Sequence, residues 1–393
     1  ESITLMLTQI INGKILTPQG WLKDGSVIIR DGKILEVTNC DLAIIGADII
    51  DAKGMYVTPG FVDMHVHGGG GRDFQEGTPE AFNVAVNAHL KYGTTSIFPT
   101  LSSSTVPMIE AAVETCGELM KDPNSPILGL HLEGHYLNPQ KAGAQRPEWI
   151  KNPDPNEYIP IVENSPCLAR WDAAPELAGA LQFGKYCAEK GILPSIAHTA
   201  ASYADVKAAF EVGFTHVTHF YNAMPGFHNK REYKYEGTVE SVYLIDDMTV
   251  ECVADGIHVP PTILRMVYKI KGVERMALIT DALAVAAVDS DDVKAFDPRV
   301  VIEDGVCKLS DRSALAGSIA TTDRLVRTMV QQAEVPLEDA IRMASETPAH
   351  IMGVHDRKGA LARGKDADIL IIDDKLNVRC GWQMGKIREN SLF

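Results

Sequence analysis

Between residues 59 and 357 apolar, strand-like runs alternate with helical stretches eight times, and this rhythm constrains the fold more than any other feature of the chain. The strand candidates are Phe61–His67, Ser96–Leu101, Ile127–Glu133, Ala169–Ala173, Leu193–His198, His216–His219, Thr249–Ala254 and Met276–Thr280. The segments between them, among them Pro79–Tyr92, Val106–Met120, Pro175–Lys190, Ala204–Val212 and Thr262–Ile270, space their apolar residues at helical intervals. Eight such units over about 300 residues predict an α/β fold, the (β/α)₈ barrel, whose chemistry lies at the C-terminal ends of the strands.

The flanks have a different texture. Short strands broken by Asn12-Gly13, Asp31-Gly32 and Lys53-Gly54 fill the first 58 residues, and similar strands return near Lys358–Leu361 and Asp368–Asp373. The expectation is a small β-sandwich built from residues 1–58 and 359–393, beside a barrel of residues 59–358.

Polar residues close the predicted barrel strands. His65 and His67 end the first, and side chains two apart on a strand point the same way, so both imidazoles face one direction. Glu133 ends the third, His198 the fifth, His219 the sixth and Asp281 the eighth. Any one of them alone reads as a loop residue or, for Asp281, a helix cap. Six residues, every one at a predicted strand end, read as one site at the barrel mouth. Imidazoles and a carboxylate converging there suit a divalent transition metal.

Charge narrows the partners. The chain carries 37 Lys and Arg against 52 Asp and Glu, a net −15. That disfavours a nucleic-acid or anionic-membrane surface, while leaving room for a small anion held by local cations. Seven scattered cysteines without a C-x-x-C pair read as reduced thiols, and no signal-like or spanning apolar run is present. A cytoplasmic location is expected.

The run Pro59-Gly60-Phe61-Val62-Asp63-Met64-His65-Val66-His67-Gly68, with the strand-end Glu, His, His and Asp, resembles the metal-dependent amidohydrolase superfamily. His131-Leu132-Glu133-Gly134, His219-Phe220-Tyr221-Asn222-Ala223-Met224, Asp255-Gly256-Ile257-His258-Val259, Thr280-Asp281-Ala282 and Leu315-Ala316-Gly317-Ser318 are similar to its N-acetylglucosamine-6-phosphate deacetylase family, through essentially the whole chain. The resemblance implies a barrel with a small β-sandwich, and a cytoplasmic homodimer that deacetylates a phosphorylated amino sugar. It implies Glu133, His198 and His219 as metal ligands and Asp281 as the catalytic acid/base. Asn222 and the backbone of Ala223 would position substrate, with Arg231 and His258 on the sugar phosphate. His65 and His67 add a second ligand set, so one or two ions of Zn, Fe, Ni or Co are expected.

Two departures stand out. Glu133-Gly134-His135-Tyr136 replaces the family's Glu-Gly-Pro-Phe, and Gln145 stands where some members have the histidine that polarises the scissile carbonyl. Three alternatives remain open at this point. An N-acetylgalactosamine-6-phosphate deacetylase differs only in the sugar epimer. A cyclic-amide hydrolase usually needs a carboxylated lysine, and Leu128–Gly134 holds no lysine. A non-catalytic scaffold is expected to lose metal ligands. His89, His228, His350 and His355 are expected at the surface or in caps.

Overall fold

The amino-terminal strands β1 (Leu7–Thr17), β2 (Gly20–Arg30), β3 (Lys33–Thr38), β4 (Asp48–Asp51) and β5 (Tyr56–Pro59) meet the carboxy-terminal end of the chain in one sheet. The structure is a computed structural model that describes residues 6–40, 43–288 and 297–392. Asp31-Gly32 makes the expected turn between β2 and β3, but Asn12-Gly13 does not end a strand. It forms a bulge inside β1, where the register to β2 shifts on both sides of Gly13. Asn12 takes a left-handed φ of 57° and bonds Asp51 at 2.9 Å. A Cβ on Gly13 would stand 2.5 Å from Val57, so only glycine lets β1 and β5 approach here.

Eight parallel strands follow, all at the expected places: β6 (Phe61–Val66), β7 (Thr94–Leu101), β8 (Leu130–Glu133), β9 (Leu168–Ala173), β10 (Leu193–Ile196), β11 (His216–Val217), β12 (Thr249–Val253) and β13 (Met276–Ile279). They pair in sequence order. β13 returns to β6 through the Asp281 N–H, which donates to the His65 carbonyl at 2.9 Å, closing the barrel. Strands β14 (Ile369–Ile372), β15 (Val378–Gln383) and β16 (Lys386–Asn390) complete the other sheet, ordered β16-β15-β14-β5-β1-β2-β3, with β4 also on β1. Ile10, Val27, Val57, Ile369 and Trp382 form its core.

The five expected helices appear as α1 (Pro79–Leu90), α2 (Val106–Leu119), α4 (Ala180–Glu189), α5 (Tyr203–Val212) and α7 (Pro261–Lys271), with α3 (Pro155–Glu163) and α6 (Thr238–Tyr243) between them. Three more, α8 (Thr322–Gln331), α9 (Leu337–Met343) and α10 (Glu346–Ile351), cover the barrel after β13. None of the described helices is long and apolar enough to cross a membrane. His89 departs from expectation. It is fully buried on α1 and donates from Nε2 to the Gly68 carbonyl at 2.9 Å, propping the loop that leaves the first barrel strand.

Candidate metal centre and active site

Where barrel strands end, the backbone must turn sharply to present a side chain inward. His198, His219 and Asp281 do so with φ of 43°, 24° and 47°, a strained region for non-glycine residues that clusters at functional sites. Together with His65, His67 and Glu133 they bring six buried side chains to one point.

Glu133 organises the cluster. Its Oε2 lies 2.9 Å from His67 Nε2 and 3.4 Å from His65 Nε2, while its Oε1 lies 3.0 Å from His198 Nε2 and 2.9 Å from His219 Nε2. Asp281 Oδ1 stands beside the first pair, 3.2 Å from His65 and 3.0 Å from His67. Two overlapping ligand sets result, His65-His67-Glu133-Asp281 and Glu133-His198-His219, with the donor atoms of each within 4.8 Å of one another.

The far nitrogen of each imidazole is anchored. His198 Nδ1–H donates to the Lys141 carbonyl at 2.7 Å and His219 Nδ1–H to the Asn222 carbonyl at 3.0 Å. His67 Nδ1 meets Ser102 Oγ at 3.3 Å, and His65 Nδ1 meets Glu251 Oε2 at 3.2 Å. A carbonyl only accepts, so His198 and His219 keep a proton on Nδ1 and turn a ligating Nε2 inward. These residues fit a divalent transition metal in donor chemistry and in orientation.

Electrostatics point the same way. Burial alone raises the Glu133 and Asp281 carboxyls, but His65 beside both, with the neighbouring histidines, leaves each well below the usual carboxylate range. Burial opposes protonation of His67, yet hydrogen bonds to Asp281 and Glu133 push it up to about 10. Anionic oxygens crowded by imidazolium protons are what a cation would replace.

A cavity of about 400 Å³ opens above the cluster, lined by Gln145, Asn222, Ala223 and His258 among others. Gln145 Oε1 accepts the Ser103 N–H at 2.7 Å, which fixes the amide and leaves its Nε2 donors available to a ligand. Asn222 Nδ2 is buried and has no partner among the described residues. His258 donates from Nδ1 to Asp255 at 2.7 Å and from Nε2 to the Ala316 carbonyl at 2.6 Å. Both its protons are thus committed, and Asp255 more than offsets the effect of burial to raise its pKa, so it offers positive charge but no free donor.

Arg231 is not brought into this cavity. It sits exposed at the tip of the hairpin His228–Lys230/Tyr233–Tyr235, next to the exposed Tyr233, with exposed Phe227 at the hairpin's base. His135 and Tyr136, the departure after the third strand, bond Glu157 on α3 and so anchor the loop to the outer helices.

Below the cluster lies a buried polar layer. Arg170 on β9 donates to Asp172 at 3.0 Å, to Thr218 at 2.9 Å and to Glu251 on β12. β10 and β11 lie between β9 and β12, so these side chains meet through the barrel interior. The signal was present in sequence. Arg170/Asp172, His216/Thr218 and Thr249/Glu251 alternate polar with apolar residues inside barrel strands, marking an inward polar face.

The amidohydrolase family model matches residues 56–388. The N-acetylglucosamine-6-phosphate deacetylase of Lysinibacillus sphaericus is 30% identical, covering 96% of this chain and 97% of that one. The N-acetylgalactosamine-6-phosphate deacetylase of Escherichia coli O157:H7 is also 30% identical, covering 97% and 99%. A crystallised mutant N-acetyl-D-glucosamine-6-phosphate deacetylase from Mycobacterium smegmatis, in complex with N-acetyl-D-glucosamine-6-phosphate, matches at a TM-score of 0.89 and 29% identity, covering 98% of this chain and all of that one. The matched span contains every strand end that feeds the six-residue cluster, and the chain belongs to the amidohydrolase family.

Proposed function

We propose that this chain hydrolyses the acetamide of N-acetyl-D-glucosamine 6-phosphate to glucosamine 6-phosphate and acetate, in amino-sugar catabolism. The observation that carries the reading is the division of labour at Glu133, one oxygen to each histidine pair, with Asp281 beside the first pair and a sugar-sized cavity above. Relatives and a substrate complex that carry this activity support the choice of substrate.

Divalent ions held by His65, His67 and Glu133, and by Glu133, His198 and His219, would supply Lewis acidity and bring the pKa of water from 15.7 towards ~7. Imidazole-rich ligation favours Zn, Fe, Ni or Co over Mg or Ca. Asp281 takes a proton from the attacking water and returns it to the amine nitrogen as the C–N bond breaks, a role worth roughly 10²–10⁴-fold. Gln145 offers Nε2–H to the developing oxyanion, in place of a histidine that would titrate. Asn222 Nδ2, the Ala223 backbone and the charge of His258 orient the sugar and its phosphate.

Arg231 completes the phosphate site from a second copy of the chain. Its exposed position on a hairpin that also exposes Phe227, Tyr233 and Tyr235 supports a homodimer formed around this hairpin. The N-acetylgalactosamine epimer is the second reading, supported by an equally similar relative. The free cysteines, six of them buried, support a cytoplasmic setting. The sheet strands drawn from both termini support residues 1–58 with 359–393 as a unit that braces a barrel of 59–358.

Acetate release from N-acetylglucosamine and N-acetylgalactosamine, each with and without 6-phosphate, tests the proposal. Efficient turnover should require the phosphate, because the dianion supplies the binding energy that orients the acetamide. Similar kcat/KM without phosphate would overturn the substrate assignment.

A further inference from the structure

Among the four imidazoles of the cluster, His65 alone rests on a carboxylate. His67, His198 and His219 hold their outer nitrogens against a hydroxyl or a backbone carbonyl. His65 Nδ1 faces Glu251 Oε2 at 3.2 Å, and both residues are fully buried.

Glu251 is itself held rigidly. Its other oxygen accepts from Arg170 and lies 3.2 Å from His216 Nε2. Arg170 is fixed in turn by Asp172, Thr218 and, at 3.4 Å, the Met64 carbonyl next to His65 in the chain. Arg170 also compensates the charge that a lone buried carboxylate would carry. A carboxylate held in this way fixes the Nδ1–H tautomer of an imidazole, aims its Nε2 lone pair and makes it a stronger donor.

We infer that Glu251 is a positioning residue for the first-strand metal site: acting through His65, it decides whether the site of His65, His67 and Glu133 fills. The site of Glu133, His198 and His219 has its own carbonyl anchors and does not depend on it. This inference rests on the two-ion reading above.

The test is zinc titration of the chelator-stripped full chain, read by competition with a chromophoric chelator. Wild type should take two ions. Glu251→Gln should weaken one site by about 10–100-fold and leave the other unchanged. In a His65→Ala background the same substitution should cost nothing further, a result that general damage to the barrel would not give.

Should Glu251→Gln fail to fold, Glu251→Asp keeps the charge for Arg170 but draws the carboxylate back by one methylene, and the same one-site loss is expected. Two-ion binding at wild-type affinity in the variant that folds, equal weakening of both sites, or further loss without His65 would overturn the inference. A wild type that takes a single ion overturns the two-ion reading as well, and needs no variant to show it.

Discussion

The Nδ1–H of His219 is donated to the backbone carbonyl of Asn222, 3.0 Å away and three residues later. One tight turn therefore orients a candidate ligand with its main chain and sends the Asn222 side chain, whose Nδ2 has no partner among the described residues, to the cavity that substrate would enter. The left-handed φ of 77° at Tyr221 and 55° at Ala223 makes such a turn possible.

These two functions can be separated by mutation. Asn222→Ala keeps the carbonyl and removes only the amide, so metal content should be unchanged. Losing a hydrogen bond to a charged or polar substrate group should lower kcat/KM by roughly 10–100-fold. Metal analysis beside steady-state kinetics checks this, and loss of metal in the variant would contradict the division.

Arg231 offers a test that needs two chains. The Arg231→Ala and Asp281→Asn proteins should each be nearly inactive at low substrate. If Arg231 serves the partner's cavity, mixed dimers contain one site with both residues intact, and activity should reappear on subunit exchange. No recovery in demonstrably mixed dimers would return Arg231 to the solvent.

Most of the barrel was readable because apolar runs and helical spacing report burial directly, and all eight strands fell where the pattern put them. The six cluster residues were equally legible, since each followed an apolar run. Side chains meeting through the interior were not. Nothing local says that Arg170 will reach Glu251 across two intervening strands, or that His89 will prop Gly68. The Asn12-Gly13 bulge escaped because the same dipeptide favours a hairpin turn, and only the approach of Val57 makes it a bulge. Arg231 matched a family position, but its exposure depends on a protruding hairpin that sequence spacing does not reveal.

The loop after β8 should carry a pH signature. Glu157 accepts from Tyr136 at 2.9 Å and is paired with His135 and Lys151. Burial raises its carboxyl, but these partners outweigh burial and hold it at about 2, below its ordinary value of 4.5. A depressed carboxyl stabilises the fold above its unfolded pKa, and that contribution fades as pH falls from about 4.5 through about 2. Glu157→Gln should therefore be less stable than wild type at pH 7, by on the order of 2 kcal/mol. The gap in urea midpoints should narrow below pH 4.5. A gap independent of pH would mean that packing, not charge, sets the role of Glu157.

The proposed proton-transfer role of Asp281 can be tested apart from the fold. Its carboxylate faces His65 and His67 at the cavity floor, and its backbone N–H, which Asn retains, makes the bond that closes the barrel. Asp281→Asn should fold normally and keep metal at Glu133, His198 and His219. Its kcat should fall by at least ~10²-fold, because an amide cannot shuttle the proton. Near-normal turnover with intact metal would remove Asp281 from the mechanism.

The number of ions follows from how Glu133 is shared. One oxygen faces His65 and His67 and the other faces His198 and His219, and a bridging carboxylate typically spans ions about 3.5–4 Å apart. The second pair is anchored by backbone carbonyls, that of Lys141 in the loop after β8 and that of Asn222, and by none of the first pair's partners, so it should persist without the first. His65→Ala/His67→Ala should then bind one ion where wild type binds two, with the remaining ion at wild-type affinity. Asp281 loses its two imidazole partners in that variant and its carboxyl should return towards the ordinary range. The acidic limb of the pH–rate profile would then move to higher pH, because Asp281 in the proposed role must be ionised to accept the proton from water. Titration of metal into the stripped protein, followed by a pH–rate profile of each form, distinguishes the outcomes. Saturation at one ion per chain in both proteins would leave a deacetylase with a single metal, in which His65 and His67 serve Asp281 alone.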